Sequence, residues 1–398
     1  MSPILIAGGG VGGLASALAL ARRGHASIVM ERRDATDESG AGIQIGPNGV
    51  HTLRALGVAD LLQPVAGVPE AVIVNDALSG REIVRLPLGD WIAKRHGAPY
   101  WVLHRSDLHG ALRQAAVATG LVTVMAGTEI DGVKVDDSGI EVDAGRAGSS
   151  ERRWVAGAAL IGADGIWSTV RRRLAERGGR NLHLPRRSQT SASRAIIARP
   201  SAGPLGDNAV HVWMSPSAHV VHYPVRAGAD VSLVAFARDP PGPGRLGFDR
   251  ESGSILVGRL GASAPVLVAA IEAVPEWRKW PVVSWQRPDY AASGRVTLLG
   301  DAAHPIRPYL AQGAVMALED AVAIAAALAA NPGDPATAFA AYAQIRRARV
   351  SRVATSSYAN GLVYHLPRTV AAARNTAMRL FGGKRIMAGY DWLYGWKG

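Results

Sequence analysis

Six residues near the start of the chain, Gly8-Gly9-Gly10-Val11-Gly12-Gly13, follow directly on the apolar run Ile4–Ala7 and open into a helical run over 14–23. This is G-x-G-x-x-G in the setting that gives it physical content. Bare backbone lets a diphosphate approach the N–H groups of a helix start, and the last glycine lets helix and strand pack closely. The next apolar run, 26–30, ends in Glu31, 18 residues past Gly13. There a carboxylate can accept hydrogen bonds from both hydroxyls of an adenosine ribose. The stretch reads as a βαβ unit for an ADP-containing dinucleotide and does not separate NAD from FAD. A solvated strand-end acid is the alternative for Glu31.

The chain has 398 residues, a length for roughly two domains. With 48% hydrophobic and 19% charged residues it is too apolar to be disordered. The net charge is +12, but the basic residues are scattered. Arg171-Arg172-Arg173 and Arg346-Arg347 fall in helix-like stretches and are expected on solvated helix faces, without the basic and aromatic interleaving of a nucleic-acid site. The charge therefore reads as a field for small anions, and no nucleic-acid partner is expected. The absence of cysteine excludes disulfides, thiolate metal sites and a cysteine nucleophile. Redox chemistry needs a bound cofactor, and no metal site is expected. No basic leader precedes residues 3–6, and the Ala-rich stretch 321–330, opened by Glu319-Asp320, is too short to span a bilayer. The expected location is the cytoplasm, without an integral membrane segment.

Glycines return at 40–46 before a helix-like 48–56, and 71–74 with 82–85 reads as paired strands around Ser79-Gly80. A helix over 108–118 stands behind a candidate Ser106 cap. Short strands then lead into Ile161-Gly162-Ala163-Asp164-Gly165, a second dense glycine turn. Between about 190 and 240 the pattern changes to alternating strands joined by Pro/Gly turns, which suggests a separate antiparallel sheet. There His219, Val221 and Tyr223 share one strand face while His222 points to the other, so the two histidines do not form a metal pair. After Pro308 the chain is helix-prone.

The run Gly300-Asp301-Ala302-Ala303-His304-Pro305-Ile306-Arg307-Pro308-Tyr309-Leu310-Ala311-Gln312-Gly313-Ala314 resembles the second FAD motif of the group A flavoprotein monooxygenases, the single-component aromatic hydroxylases. Gly162-Ala163-Asp164-Gly165 with Arg171 resembles the family's Asp-Gly motif, and His104-Arg105-Ser106-Asp107-Leu108 its FAD-binding arginine segment. The ending Tyr390-Asp391-Trp392-Leu393-Tyr394-Gly395-Trp396 is similar to a salicylate-hydroxylase-like tail. The resemblance spans the whole chain. It implies an α/β protein in which a Rossmann-like FAD-binding domain (1–75, 96–180 and 288–345) carries an antiparallel-sheet substrate domain (76–95 and 181–287) and a C-terminal helical segment (346–398).

The resemblance also implies roles. Gly8, Gly10, Gly13, Glu31, Arg32, Gln44, Arg105, Asp164, Asp301, Gly313 and Ala314 would bind FAD. In that set Arg105 serves the diphosphate, Asp301 the ribityl chain, and the N–H groups of Gly313 and Ala314 the flavin's N1/C2=O edge. Relatives acting on phenolic acids carry a similar His-x-x-x-Tyr over the flavin, which makes His219 the candidate base and Tyr223 its orienter, with a strand histidine satisfied in a domain interface as the alternative for His219. Trp213, Pro308 and Tyr309 are candidate substrate-lining residues, with core packing the alternative for Trp213. A turn-forming role is the alternative for Asp164.

The implied function is FAD-dependent hydroxylation of a small anionic aromatic substrate, hydroxybenzoate- or salicylate-like. NADH or NADPH would serve as a transient reductant, and O₂ would react through a flavin C4a-hydroperoxide. A monomer or homodimer is expected. A monooxygenase or epoxidase for a larger polycyclic substrate, or a non-catalytic flavin-binding redox sensor, is the alternative.

Overall fold

Strands whose residues are apolar on both faces need covering on both faces, and the computed structural model places them accordingly. It describes residues 2–34, 41–136, 139–146, 149, 151–178, 186–199, 205–239, 249–285, 288–290 and 294–397. A parallel sheet runs in the order Val296–Leu298, Ala159–Gly162, Ile4–Ala7, Ser27–Met30, Val122–Met125. Ile4, Leu5, Ile6 and Ala7 at its centre are all buried.

The helix Val11–Ala21 leaves the central strand and packs on Gly313–Ala330. Both are rich in alanine, and the approach is close. A side chain at Gly12 would come within 2.6 Å of Leu299 Cδ1 and 3.2 Å of Ala317 Cβ. Among the described residues Gly313–Ala330 is the one helix long and apolar enough to cross a membrane, and 61% of it is buried within the fold. It begins at Gly313, so the apolar segment is longer than the 321–330 read from the sequence.

An eight-stranded sheet forms the second layer, ordered Asp249–Glu251, Trp277–Ser284, Arg186–Ala198, Asp230–Arg238, Ala218–Val225, Val210–Met214, Ala71–Asp76, Glu82–Pro87. It departs from the expected antiparallel pattern at one seam, where Val210–Met214 pairs in parallel with Ala71–Asp76. The chain between these two strands travels through the parallel sheet, so no hairpin dictates their relative direction. Ala71–Asp76 belongs whole to this sheet, so a boundary at 75/76 cuts a strand. The boundary at 180/181 lies outside the described residues, and of 287/288 only residue 288 is described. Helices Gly253–Leu260 and Pro265–Glu272 close the far face over a core containing Trp277, Leu256, Leu267 and Ile271.

The helix Pro335–Tyr364 runs through 345/346, so the expected start of a separate C-terminal segment falls in mid-helix. Pro335 occupies its first turn and Asp334 caps it by accepting from Thr337 N at 3.0 Å. Arg349 on this helix donates to the carbonyls of Trp392 (3.3 Å) and Leu393 (3.1 Å), and Trp396 lies under Arg346 and Arg349.

Candidate active site

A ribbon of Gly42–Ile45 paired with Trp101–His104 ties the two large sheets together. Its register sets Gln44 opposite Val102 and brings Arg105 N to Ala41 O at 2.9 Å. Gly42 is obligatory here, because a Cβ would meet Ser232 Oγ at 2.6 Å and Tyr223 Cε2 at 2.7 Å. The helix after this ribbon starts at Arg105 and is capped by His104, whose Nδ1 accepts from Ser106 N at 3.2 Å. Ser106 is therefore inside the helix and not its cap.

Two adjoining cavities flank the ribbon. One, of about 580 Å³, lies over the ends of the parallel strands and is lined by Gly8, Glu31, Arg32, His109, Arg113 and Asp164. The other, of about 390 Å³, lies between the parallel sheet and the eight-stranded sheet and is lined in part by Gln44, Tyr223, Phe236, Asp301, Gly313 and Ala314. Gly10, Arg105, Ala163 and Trp280 line both, so the two form one continuous cleft.

The cleft has the features a dinucleotide needs. Gly8 has φ +97°, and a Cβ there would lie 2.4 Å from Ala163 O. A Cβ at Gly13 would lie 1.9 Å from Gly8 O, while at Gly10 it would meet nothing within 4 Å, leaving bare backbone facing open space. The helices beginning at Val11 and Gly313 both lack a side-chain cap, so their first N–H groups face the cleft as anion-binding donors. Glu31 Oε2 accepts from Gly9 N at 2.8 Å and Oε1 from Arg33 N at 3.0 Å, which fixes the carboxylate at the cavity edge. These residues fit FAD. His109, whose Nε2 lies 2.7 Å from Gly9 O, and Arg113 were not singled out in the sequence, since a helix hides which turn faces a cavity.

Asp301 opens into the inner cavity, where desolvation raises its carboxyl above the usual range against the pull of His304, Arg105 and Arg194. Asp164 Oδ2 accepts from Thr169 N (2.7 Å) and Val170 N (3.1 Å), so it anchors a helix start while facing the outer cavity. Tyr223 lines the inner cavity, and burial raises its phenol despite hydrogen bonds with Ser232 and Gln44. Gln44 Oε1 also accepts from Tyr100 OH at 2.8 Å. Arg194 was missed. It stands on the same sheet face as Ala192, with its guanidinium 5.5 Å from the Trp280 ring centroid.

His219 does not line either cavity. It sits one step behind the wall, 1% exposed and stacked on Phe236, which does line it, at 4.3 Å. Pro308 reaches the inner cavity, but Tyr309 packs beside His219 and over Gly361. Trp213 lines neither cavity. Its ring packs into the core on the far face of the sheet, because strand alternation turns residue 213 away from the cleft.

Beneath the Gly300-Asp301 motif lies a buried ionic cluster centred on Arg346, a residue expected on a solvated helix face. Arg346 is 1% exposed and reaches Asp320 and Glu319 at 2.7 Å each. Asp320 Oδ2 also holds His304 Nε2 at 2.5 Å and Gly300 N at 3.1 Å. Asn48 joins Glu319 to Gln312, the residue before the Gly313 helix. Arg171 is likewise buried and donates to Ala302 O and Ile166 O at 2.9 Å each. The solvated-face expectation fails because Arg346 meets carboxylates 26 and 27 positions earlier in the chain and Arg171 meets Ala302 O, 131 positions later, besides the nearby Ile166 O.

Fold and cleft together define a dinucleotide-binding flavoprotein with a second sheet closed over its reactive end. A family described as FAD binding domain matches residues 1–357, and the chain belongs to it. It is 35% identical over 396 residues to the 3-hydroxybenzoate 6-hydroxylase of Polaromonas naphthalenivorans (strain CJ2), covering 99% of this chain and 96% of that protein. It is 33% identical over 361 residues to the 6-hydroxynicotinate 3-monooxygenase of Bordetella bronchiseptica, covering 90% and 91%. A salicylate hydroxylase substrate complex matches with a TM-score of 0.80 at 22% identity, covering 99% of this chain and 95% of that one. The Klebsiella pneumoniae HpxO complex with FAD and uric acid matches at 0.83 and 22%, covering 98% and 96%. The chain is an FAD-dependent monooxygenase of the group A aromatic hydroxylases, as its motifs implied.

Proposed function

We propose that this enzyme hydroxylates a small phenolic carboxylate of the 3-hydroxybenzoate type, using NADH or NADPH and O₂. The observation that carries the reading is the inner cavity. One wall is the uncapped helix start at Gly313, the facing wall is the sheet face with Val221, Tyr223, Val234 and Phe236, and about 390 Å³ lies between them. That space suits a flavin ring and one small aromatic ring. Identity of 35% to 3-hydroxybenzoate 6-hydroxylases supports the choice of ring.

The residues divide the work. Gly8, Gly10 and Gly13 admit the diphosphate with Arg105, Glu31 and Arg32 hold the adenosine end, and Asp301 takes the ribityl chain. Gln44 would contact FAD near the ribityl chain or ring, and the Gly313 and Ala314 N–H groups would stabilise negative charge on it. FAD bound there supplies the activation of O₂ at the expense of the reductant. The apolar sheet face keeps water out of the reacting space. Arg194 offers its charge to the substrate carboxylate. Tyr223, which lines the inner cavity, orients the phenol oxygen, while His219 stands behind Phe236 and supports that wall instead of reaching the substrate as its base. The parallel-sheet part serves the cofactor and the eight-stranded sheet the substrate. The reading takes the enzyme as a cytoplasmic monomer or homodimer in which Gly313–Ala330, 61% buried within the fold, serves as a core helix.

The test is the visible spectrum of the purified protein, followed by NADH and NADPH oxidation with 3-hydroxybenzoate, salicylate and hydroxynicotinates. The expected result is a flavin spectrum, oxidation stimulated by 3-hydroxybenzoate, and 2,5-dihydroxybenzoate as product. Bound flavin with no stimulation by any of these rings would overturn the substrate assignment.

A further inference from the structure

The positive charge of this chain is concentrated near its end. From Pro335 to Tyr390 there are nine Lys and Arg and no Asp or Glu, so this stretch carries +9 of the net +12. Arg346 and Arg349 meet Glu319 and Asp320 inside the fold. Arg347, Arg352, Arg368, Arg379, Lys384 and Arg385 are exposed, and among the described residues no carboxylate pairs with any of them.

Four of these six stand on or just after the helix Arg368–Phe381, which has no buried residue of its own. The helix is nevertheless held in place. Arg374 on its inner side donates to Val363 O at 2.8 Å and Tyr364 O at 3.2 Å. The turn after it is pressed on the strand Glu82–Pro87, where a Cβ at Gly383 would lie 1.9 Å from Arg85 O. Glu82, the one acid of that strand, is already paired with Arg85 at 2.9 Å. Helical spacing gives the exposed half of Arg368–Phe381 two edges. Arg368 and Arg379 lie about three turns apart along one. Val370, Ala373, Ala377 and Leu380 recur every three or four residues along the other, with Phe381 beside them. Val370 is 48% exposed, Leu380 82% and Phe381 55%. Arg385 of the following helix stands over the Phe381 ring at 5.3 Å, so a cation adjoins the apolar edge as well.

A docked helix that shows water large apolar side chains and cations together, with no anion among them, has the chemistry of an interfacial helix. Its apolar edge suits the boundary of the acyl chains, and its arginines and lysine reach the phosphates of the headgroups. Charge decides between the possible occupants. A second copy of this face would set cations against cations with no carboxylate to answer them. A nucleic acid would accept the cations but offers its phosphates nothing to do with Leu380 and Phe381. We propose that the helix Arg368–Phe381, with Lys384 and Arg385, docks this enzyme on the surface of an anionic phospholipid bilayer. The helix lies along the surface and does not cross it, and the docking is independent of which ring the cleft takes.

The experiment mixes the flavin-loaded enzyme with vesicles of phosphatidylcholine alone and of phosphatidylcholine with phosphatidylglycerol at three to one, sediments the vesicles, and measures the bound fraction at low and high salt. The parent is compared with Leu380→Asn/Phe381→Asn and with Arg379→Gln/Lys384→Gln/Arg385→Gln. All five positions are exposed and outside the cleft, so flavin content and melting temperature are expected to match the parent. The parent is expected to bind the phosphatidylglycerol vesicles about tenfold or more above the neutral ones, and less at high salt. The apolar pair should weaken that binding about tenfold at unchanged charge. Loss of three cations should weaken it about a hundredfold. A parent that binds both vesicles equally, or stays in the supernatant with phosphatidylglycerol at low salt, overturns the proposal. So does a parent that sediments as a dimer without vesicles and is split by Leu380→Asn/Phe381→Asn, which would make this face a contact between two copies. Equal capture on duplex DNA, with binding sensitive to the cations and indifferent to the apolar pair, would reduce the surface to a general attraction for polyanions and overturn the bilayer as its occupant.

Discussion

Arg346 Nε lies 2.7 Å from Asp320 Oδ1, and neither side chain has more than 1% of its surface in contact with solvent. The pair closes a chain of contacts that ends at the cleft. Asp320 holds the backbone of Gly300, and Glu319 holds Gln312 through Asn48, so the aspartate motif and the second helix start rest on one buried cluster. Burial alone would raise Asp320, but His304 and Arg346 together bring it below the ordinary carboxylate range.

Arg346→Met is therefore expected to destabilise the protein by about 3–5 kcal/mol, because two carboxylates stay buried with their main cation gone. A thermal melt of the flavin-loaded variant checks this. A melting temperature equal to the parent's would mean that Arg349 and His304 suffice to hold the cluster.

Gly13→Ala and Gly10→Ala should separate folding from cofactor binding. At Gly13 the new methyl meets Gly8 O at 1.9 Å, so the turn must deform and soluble yield should collapse. At Gly10 it meets no protein atom within 4 Å, so the fold should survive and only flavin retention should fall. Equal yields and equal flavin content in both variants would contradict the assignment of the turn.

Glu31→Ala removes a carboxylate fixed by Gly9 N and Arg33 N at the edge of the outer cavity. Loss of charge-assisted hydrogen bonds worth about 1.5–3 kcal/mol corresponds to FAD affinity falling by about 10- to 100-fold. Titration of the apoprotein by flavin fluorescence gives the number, and unchanged affinity would leave Glu31 as a surface acid.

Acid should unfold this protein earlier than its carboxylates alone would require. The native values of His219 and His365 lie below those of the unfolded chain, about 6.5 for a free imidazole. Above that pH both states are neutral at these positions and nothing changes. As the pH falls from about 6.5 the unfolded chain takes up protons that the folded chain refuses, and stability drops until His365 itself titrates, near 4. Urea midpoints at pH 7.5 and 5 should differ less in His365→Gln than in the parent. An equal difference would show that His365 is not part of the acid response.

The legible part of this molecule was the part that repeats a local physical rule. A strand followed by glycines and a helix can hardly be read otherwise, and the late Gly300-Asp301 motif carried its own signature. Alternation correctly put His219 and Tyr223 on one face, yet it could not say that Phe236 from the neighbouring strand would stand between His219 and the cavity. Arg346 read as solvent-facing because its carboxylates lie a helix away, and Trp213 read as substrate-lining because an aromatic residue carries no mark of which sheet face is the closed one. His365 gave no signal at all. Its contact with His219, Nε2 to Nδ1 at 2.9 Å, arises only where the end of one helix meets a strand far earlier in the chain.

The contacts of Arg349 with Trp392 and Leu393, and of Trp396 with the arginine pair, also bear on when the protein becomes competent during synthesis. A ribosome releases the glycine turn and Glu31 early, but the edge strand Val296–Leu298 much later, and the aromatic brace at 392–396 after nearly everything else. The nascent chain therefore carries half a nucleotide site through most of translation. Arg349 also holds Glu319, which Asn48 joins to Gln312, so a protein shortened before Trp392 is expected to hold the second helix start less firmly and to lose flavin more readily even though every glycine motif is present.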